Sequence, residues 1–191
     1  MPPEEPADET SEETVALVDR DGVVVGSAPR SRMRRENLLH AATAVLVRDP
    51  DGRIYVHRRS PDKDWWPSAY DAGSGGVLQA GEEPAAAAAR EIAEELGVTG
   101  VALRPLLAAH YEDETVRCFT HCFDTTYDGV VTHHDGEVVW GEWTTLDELG
   151  DRLRNPALTF VPDTRALLRR LSREGVADYG TLGDVPGGEA R

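Results

Sequence analysis

Cysteine is nearly absent from this 191-residue sequence: Cys118 and Cys122 are the only two. A pair so sparse excludes a disulfide framework as the basis of the fold. Four apart on a strand, they face one side and His121 the other, so small buried hydrophobes are expected and a zinc site is not. Positive charge is also scarce. Lys and Arg number 20 against 35 Asp and Glu, a formal net charge of -15. That balance argues against nucleic acid or an anionic membrane as a broad-surface partner. A small phosphorylated partner stays open, because bound cations invert a local field. Long apolar runs are missing as well, none approaching the ~20 residues of a membrane span. The opening MPPEEPADETSEE has no basic region and no apolar run, so no secretory signal is expected there. A soluble, cytoplasmic protein, monomer or homodimer, is the expectation.

What is present suffices for one domain with a core of its own. Residues 1–13 are acidic and proline-bearing and are expected to be disordered. The domain is expected over 14–175, with a glycine-rich flexible tail over 176–191. Residues 14–18 and 23–25 flank Asp21-Gly22 as a hairpin, and the arginine-rich 30–39 reads as a surface helix. The apolar run 41–47 predicts a buried central strand. A turn cluster separates it from a second strand at 53–57. Further strands are expected at 101–111, 116–123 and 138–144, and helices at 146–153 and 163–173. Strands interleaved with helices predict an α/β layered fold.

Between them lies the most informative stretch, GVLQAGEEPAAAAAREIAEELGV, from Gly76 to Val98. A helix begins at Pro84, tolerated in a first turn, runs through five alanines, and stops before Gly97. At ~100° per residue, Ala85, Ala89, Ile92 and Leu96 share an apolar face. Glu91, Glu94 and Glu95 share another. Glutamates on a helix are ordinarily a solvated face. Three that repel one another also suit a hard divalent cation, and Mg²⁺ (or Mn²⁺) is the usual choice where phosphates are bound.

The spacing decides between these readings. Gly76, five residues, Glu82, seven residues, then Arg90-Glu91-Ile92-x-Glu94-Glu95-x-Gly97-Val98 resembles the Nudix box without a departure. The resemblance implies a mixed sheet sandwiched between helices, with the box as a loop–helix–loop. It implies a Mg²⁺-dependent hydrolase that cleaves the phosphoanhydride of a small diphosphate, a nucleoside diphosphate derivative foremost. Glu94 and Glu95 are then metal ligands, Glu91 a ligand or the general base, and the Gly75 carbonyl a further ligand. Arg90 positions Glu91, and Glu82 anchors the loop to the helix. Glu137 resembles the later acidic element that some members recruit as base or extra ligand, with Glu112 and Glu114 as rivals. Arg58 and Lys63 are candidates for holding substrate phosphates.

The flanks, Val18-Asp19, His40-Ala41, Arg58-Arg59-Ser60 with Lys63, and Trp66-Pro67, resemble the branch that includes Nudix-fold isopentenyl diphosphate isomerases. Those carry a cysteine and a metal-binding histidine where this chain has Gly75 and Val77. A hydrolase sibling is therefore expected, with the isomerase and a non-catalytic ligand-binding module as alternatives. His40 is expected to be a hydrogen-bonded structural residue, Trp65 and Trp66 rim packing, and His133-His134 solvent-exposed. From the box alone, Glu95→Gln or Glu94→Gln is expected to abolish metal-dependent turnover while leaving the far-ultraviolet dichroism unchanged. An unaltered rate in either variant would remove that assignment.

Overall fold

A nine-residue strand, β3 (His40–Arg48), is the spine of the protein, and every residue of it except Ala42 is buried. The computed structural model describes residues 12–134 and 136–187. In it β3 pairs in parallel with β7 (Arg117–Thr126), from His40↔Cys118 to Arg48↔Thr126. β6 (Arg104–Glu112) runs antiparallel on the far side of β7. β1 (Thr14–Val18) meets β3 at Leu17↔His40 and forms the expected hairpin with β2 (Val24–Pro29). The next strand, β4 (Ile54–Arg59), touches β3 only at Arg48↔Ile54. It then diverges to pair with β8 (Val138–Thr144) and the two-residue β5 (Tyr70–Asp71).

The sheet is thus split between β3 and β4, and residues 74–78 fill the split. They run against β3 through Val45 N–H to Ser74 O (2.7 Å), Thr43 N–H to Gly76 O (2.9 Å) and Leu78 N–H to Ala41 O (3.0 Å). These bonds satisfy an edge of β3 that would otherwise be buried with open donors.

Strand alternation gives β3 two buried faces. Val45 and Val47 pack with Ile92 and Leu96 of α2 (Pro84–Leu96). Ala44 and Leu46 pack on the other side with Leu149 of α3 (Leu146–Arg154) and Leu168 of α4 (Pro162–Glu174). The result is a mixed sheet between helical layers. Thr145 begins α3 with a reciprocal capping box to Glu148, satisfying two helix-end donors at once. Gly97 closes α2 at φ 65°, a conformation that costs glycine little.

Three expectations are corrected. Ala85 and Ala89 are exposed; the buried stripe of α2 is Ala87, Ala88, Ile92 and Leu96, with Glu95 beside it. Ile92 and Leu96 are buried as expected, and only the alanine half of the face differs, because a run of five alanines carries no marker of which member faces the sheet. The arginine-rich helix, α1 (Arg30–Arg35), is shorter than 30–39, and Asn37 turns the chain at φ 46°. The tail is not mobile over its first ten residues. A 3-10 turn at Tyr179–Leu182 places Tyr179, Leu182 and Val185 in the core with α3 and α4. Arg48 grips Asp178 through both guanidinium nitrogens, at 2.5 and 2.7 Å.

At the other end, Ser31 N–H donates to Glu12 and Arg30 to Glu13, both at 2.7 Å, so these two are placed as well. The remaining terminal expectations concern residues 1–11 and 188–191, which lie outside the described residues. Burying a large apolar side chain contributes about 1.5–3 kcal/mol, against a typical net stability of about 5–15 kcal/mol. Three such residues make the segment part of the domain. Leu182→Ala is expected to cost about 2–5 kcal/mol in urea denaturation; an unchanged midpoint would return the segment to the tail.

Candidate active site

A cavity of about 520 Å³ opens where the sheet splits. Glu91, Glu94 and Glu95 reach it from α2, and Gly75 and Gly76 reach it from the loop along β3. Side chains would close this passage. A Cβ on Gly75 would fall on the Thr43 carbonyl, and one on Gly76 would lie 2.5 Å from Glu91 Oε1. Because the Ser74 and Gly76 carbonyls both face β3, alternation along an extended chain turns the Gly75 carbonyl away from it.

Arg90 is the hub of the carboxylates. Its Nε and Nη2 donate to Glu82 at 3.0 and 3.1 Å, and Nη1 donates to Glu91 at 2.7 Å and Glu94 at 3.3 Å. The second oxygen of Glu82 also accepts from Gln79 N–H at 3.1 Å, tying loop to helix. The Arg90 guanidinium holds Glu82 below the usual carboxylate range, against some burial. Burial raises Glu91, with Arg90 opposing. Glu95 is buried, and burial pushes its carboxyl up to about 8, although Ser74 Oγ donates to it at 2.5 Å and Lys63 Nζ lies 3.9 Å away. Lys63 forms its close ion pair with Glu137, which also lines the cavity. Burial of Glu137 is outweighed by Lys63, so its carboxyl stays ionised below its ordinary value.

These residues form an oxygen-only donor set of carboxylates and a backbone carbonyl, the chemistry of a hard divalent cation. Among the described residues no three His, Cys, Asp or Glu side chains are gathered closely enough to hold an ion as they stand. Arg90 and Lys63 neutralise the carboxylates instead. The Glu94 side chain, 55% exposed, and that of Glu137, 45% exposed, have room to rotate. The donor chemistry fits a divalent ion, and side-chain rotation is what the geometry requires.

Other expected residues divide. Arg58 does not line the cavity; its Nε donates to Ser68 O at 3.1 Å and its guanidinium lies over Tyr70. Neighbours on a strand point to opposite faces, so Arg59 takes that place. Glu112 pairs with Arg20, Arg117 and His110, and Glu114 is exposed; neither reaches the cavity. His40 is buried with Nδ1 2.9 Å from Leu38 O, and burial depresses it to about 4. Cys118 and Cys122 are buried on one face. His133 is not simply solvent-exposed, since its Nε2 lies 3.0 Å from Tyr55 Oη. Arg34, Arg59, Ser74, Asp71 and Asp163 also line or support the site. No local pattern marks them, because they come from four separate segments.

The NUDIX domain profile matches residues 38–171. The chain is 42% identical to orf19 of Rhodococcus erythropolis, described as an uncharacterized Nudix hydrolase, over 83% of this chain and 91% of that one. It is 35% identical to the uncharacterized Nudix hydrolase YfcD of Escherichia coli, covering 81% and 83%. Among solved structures it is similar to DR0079 of Deinococcus radiodurans, with TM-score 0.70, 28% identity, and coverage of 83% and 98%.

Opposite the box, Asp163 lines the cavity from the first turn of α4. Burial, and then the neighbouring charge of Asp71, hold its carboxyl up to about 7. An unfolded aspartate loses its proton near pH ~4. Between that value and about 7 the folded protein therefore binds the extra proton, and stability falls as pH rises. The melting-temperature difference between wild type and Asp163→Asn is expected to shift against wild type over this interval and level off above it. A difference independent of pH would place the titration elsewhere.

Proposed function

Because the chain belongs to the Nudix hydrolase family, enzymes that hydrolyse phosphoanhydrides, we propose that it cleaves a small diphosphate-containing metabolite with Mg²⁺, a nucleoside diphosphate derivative foremost. The observation that carries this reading is the convergence of Glu91, Glu94, Glu95 and Gly75 on one cavity that also receives Lys63. Carboxylates to hold a cation and an ammonium to hold phosphate thus share one space.

A diphosphate repels hydroxide, and its hydrolysis depends on positioning and charge neutralisation. When bound, the divalent ion supplies that neutralisation and lowers the pKa of an attacking water. Glu94, Glu95 and the Gly75 carbonyl would hold the ion, with Glu91, positioned by Arg90, as a further ligand or the base. Lys63 takes a phosphate oxygen as a charge-assisted donor. Water oxygen attacks one phosphorus, the bridging P–O bond breaks, and the water proton passes to a carboxylate oxygen of Glu137 or Glu91. Glu137 suits the role because Lys63 keeps it ionised and half-exposure lets it reach water. The isomerase alternative lacks its cysteine and histidine in the loop, where Gly75 and Val77 stand.

The test is chromatographic detection of the cleaved phosphate-bearing products from a panel of nucleoside diphosphates, nucleotide sugars, dinucleoside polyphosphates and coenzyme A. Each is assayed with Mg²⁺, Mn²⁺ and chelator. Turnover of at least one compound that chelator abolishes is expected. Tight binding of one compound without turnover in either metal would replace this reading with a ligand-binding module.

A further inference from the structure

The cavity has a second charged region that the diphosphate chemistry leaves unused. Arg34 of α1 and Arg59 of β4 both line it, in a chain whose net charge is strongly negative. Neither makes an ion pair with any described residue. The Nε atoms of both are buried without a hydrogen-bond partner. Burying a guanidinium without a contacting ion-pair partner is costly, so two in one cavity call for an explanation.

Trp65 organises the pair. The two guanidinium carbons lie 6.0 Å (Arg34) and 5.8 Å (Arg59) from its ring centroid, within cation–π range. Arg59 Nη2 also donates to the Trp65 carbonyl at 3.0 Å, and the indole N–H donates to Thr115 Oγ1 at 3.2 Å. The cluster is therefore held by neutral groups, which fix the guanidiniums without neutralising them. Two acids that line the cavity, Asp71 and Asp163, accept from backbone N–H groups of Gly73 and Thr164 at 3.0 and 2.9 Å, and Asp163 acts on the arginines through its field and not through an ion pair. Burial disfavours the charged form of Arg34 most; Asp64 opposes it, Arg30 and Arg59 add to it, and Asp163 opposes it more weakly, so the guanidinium stays below its ordinary value.

The scissile diphosphate has its own partners in the box carboxylates' cation and Lys63. Resting on the reading of this cavity as the substrate site, we propose that Arg34 and Arg59, fixed by Trp65, form a second anion site. The substrate then carries, beyond its diphosphate, a further phosphate or carboxylate on the group being released or retained. Two planar guanidiniums suit either anion, because both present paired oxygens to a fork of N–H donors.

Matched compounds that differ only in the remote group test this: ADP-ribose against its 2′-phosphate, and UDP-glucose against UDP-glucuronate. Binding is measured calorimetrically with Ca²⁺ in place of Mg²⁺, on wild type, Arg34→Met and Arg34→Lys of confirmed melting temperature. The anion-bearing member of at least one pair is expected to bind wild type at least tenfold tighter. Arg34→Met should erase that preference and Arg34→Lys should keep part of it. A preference in the phosphate pair alone identifies the phosphate form of the site, and in the glucuronate pair alone the carboxylate form. Equal affinities within both pairs, or a preference that survives in Arg34→Met, overturns the proposal. Hydrolysis of the same compounds with Mg²⁺ is read separately. Anion preference without turnover of any diphosphate would sink the hydrolase reading alone, and turnover without preference would sink the anion site alone.

Discussion

Everything at this site depends on a stretch of backbone that lies flat against a buried strand with no side chain in the way. β3 and β4 diverge after a single pairing at Arg48↔Ile54, and the loop through Gly75 and Gly76 enters the gap. A Cβ on either glycine would strike the Thr43 carbonyl or the Glu91 carboxylate. Removing those two methyl-sized volumes is what lets carboxylates on one side of the sheet share a cavity with α1 and α4 on the other. The helix that carries the carboxylates is seated by alanines, whose small side chains let Ala87 and Ala88 approach the sheet closely.

The second constraint is electrostatic. Taking a carboxylate out of water costs several kcal/mol unless it is paired, and Glu91 and Glu95 are both strongly desolvated. Arg90 compensates on the loop side, binding Glu82, Glu91 and Glu94 together, and Lys63 compensates on the β4–β8 side. The same arrangement fixes geometry: Glu82 ties Arg90 to the loop, and Arg90 aims Glu91. Stability and positioning are here one network. The arginine pair around Trp65 differs in kind, because the groups in contact with it are neutral and carboxylates reach it only through their fields.

How much of this was legible beforehand follows from the range of each interaction. Strands β3, β4, β6, β7 and β8 and helices α2, α3 and α4 were all found in place, because apolar runs, turn residues and caps act within a few positions. Only the alanine half of the α2 face was misread, since alanines do not announce which of them is buried. The chain from Val176 to Val185 was read as tail because its composition is glycine-rich and acidic. Its burial comes from Tyr179 and Leu182 meeting α3 and α4, and from Arg48 holding Asp178.

The box was fully legible because its residues are held at fixed intervals by one loop and one helix. From these intervals come the three glutamates on one side of α2 and the glycine stop at Gly97; the tie of Arg90 to Glu91 and the anchoring of the loop by Glu82 came from the family resemblance. The choice between Arg58 and Arg59 was not, because it depends on which face of β4 turns toward the cavity. Lys63 reached the site but on Glu137 rather than standing free, a pairing across 74 residues. Arg34, Ser74, Asp71 and Asp163 meet there only because the sheet splits and the helices close over the gap. Local spacing determined the catalytic module and its family; tertiary packing decided which distant charges face it, because only the folded chain brings α1, β4 and α4 to one cavity.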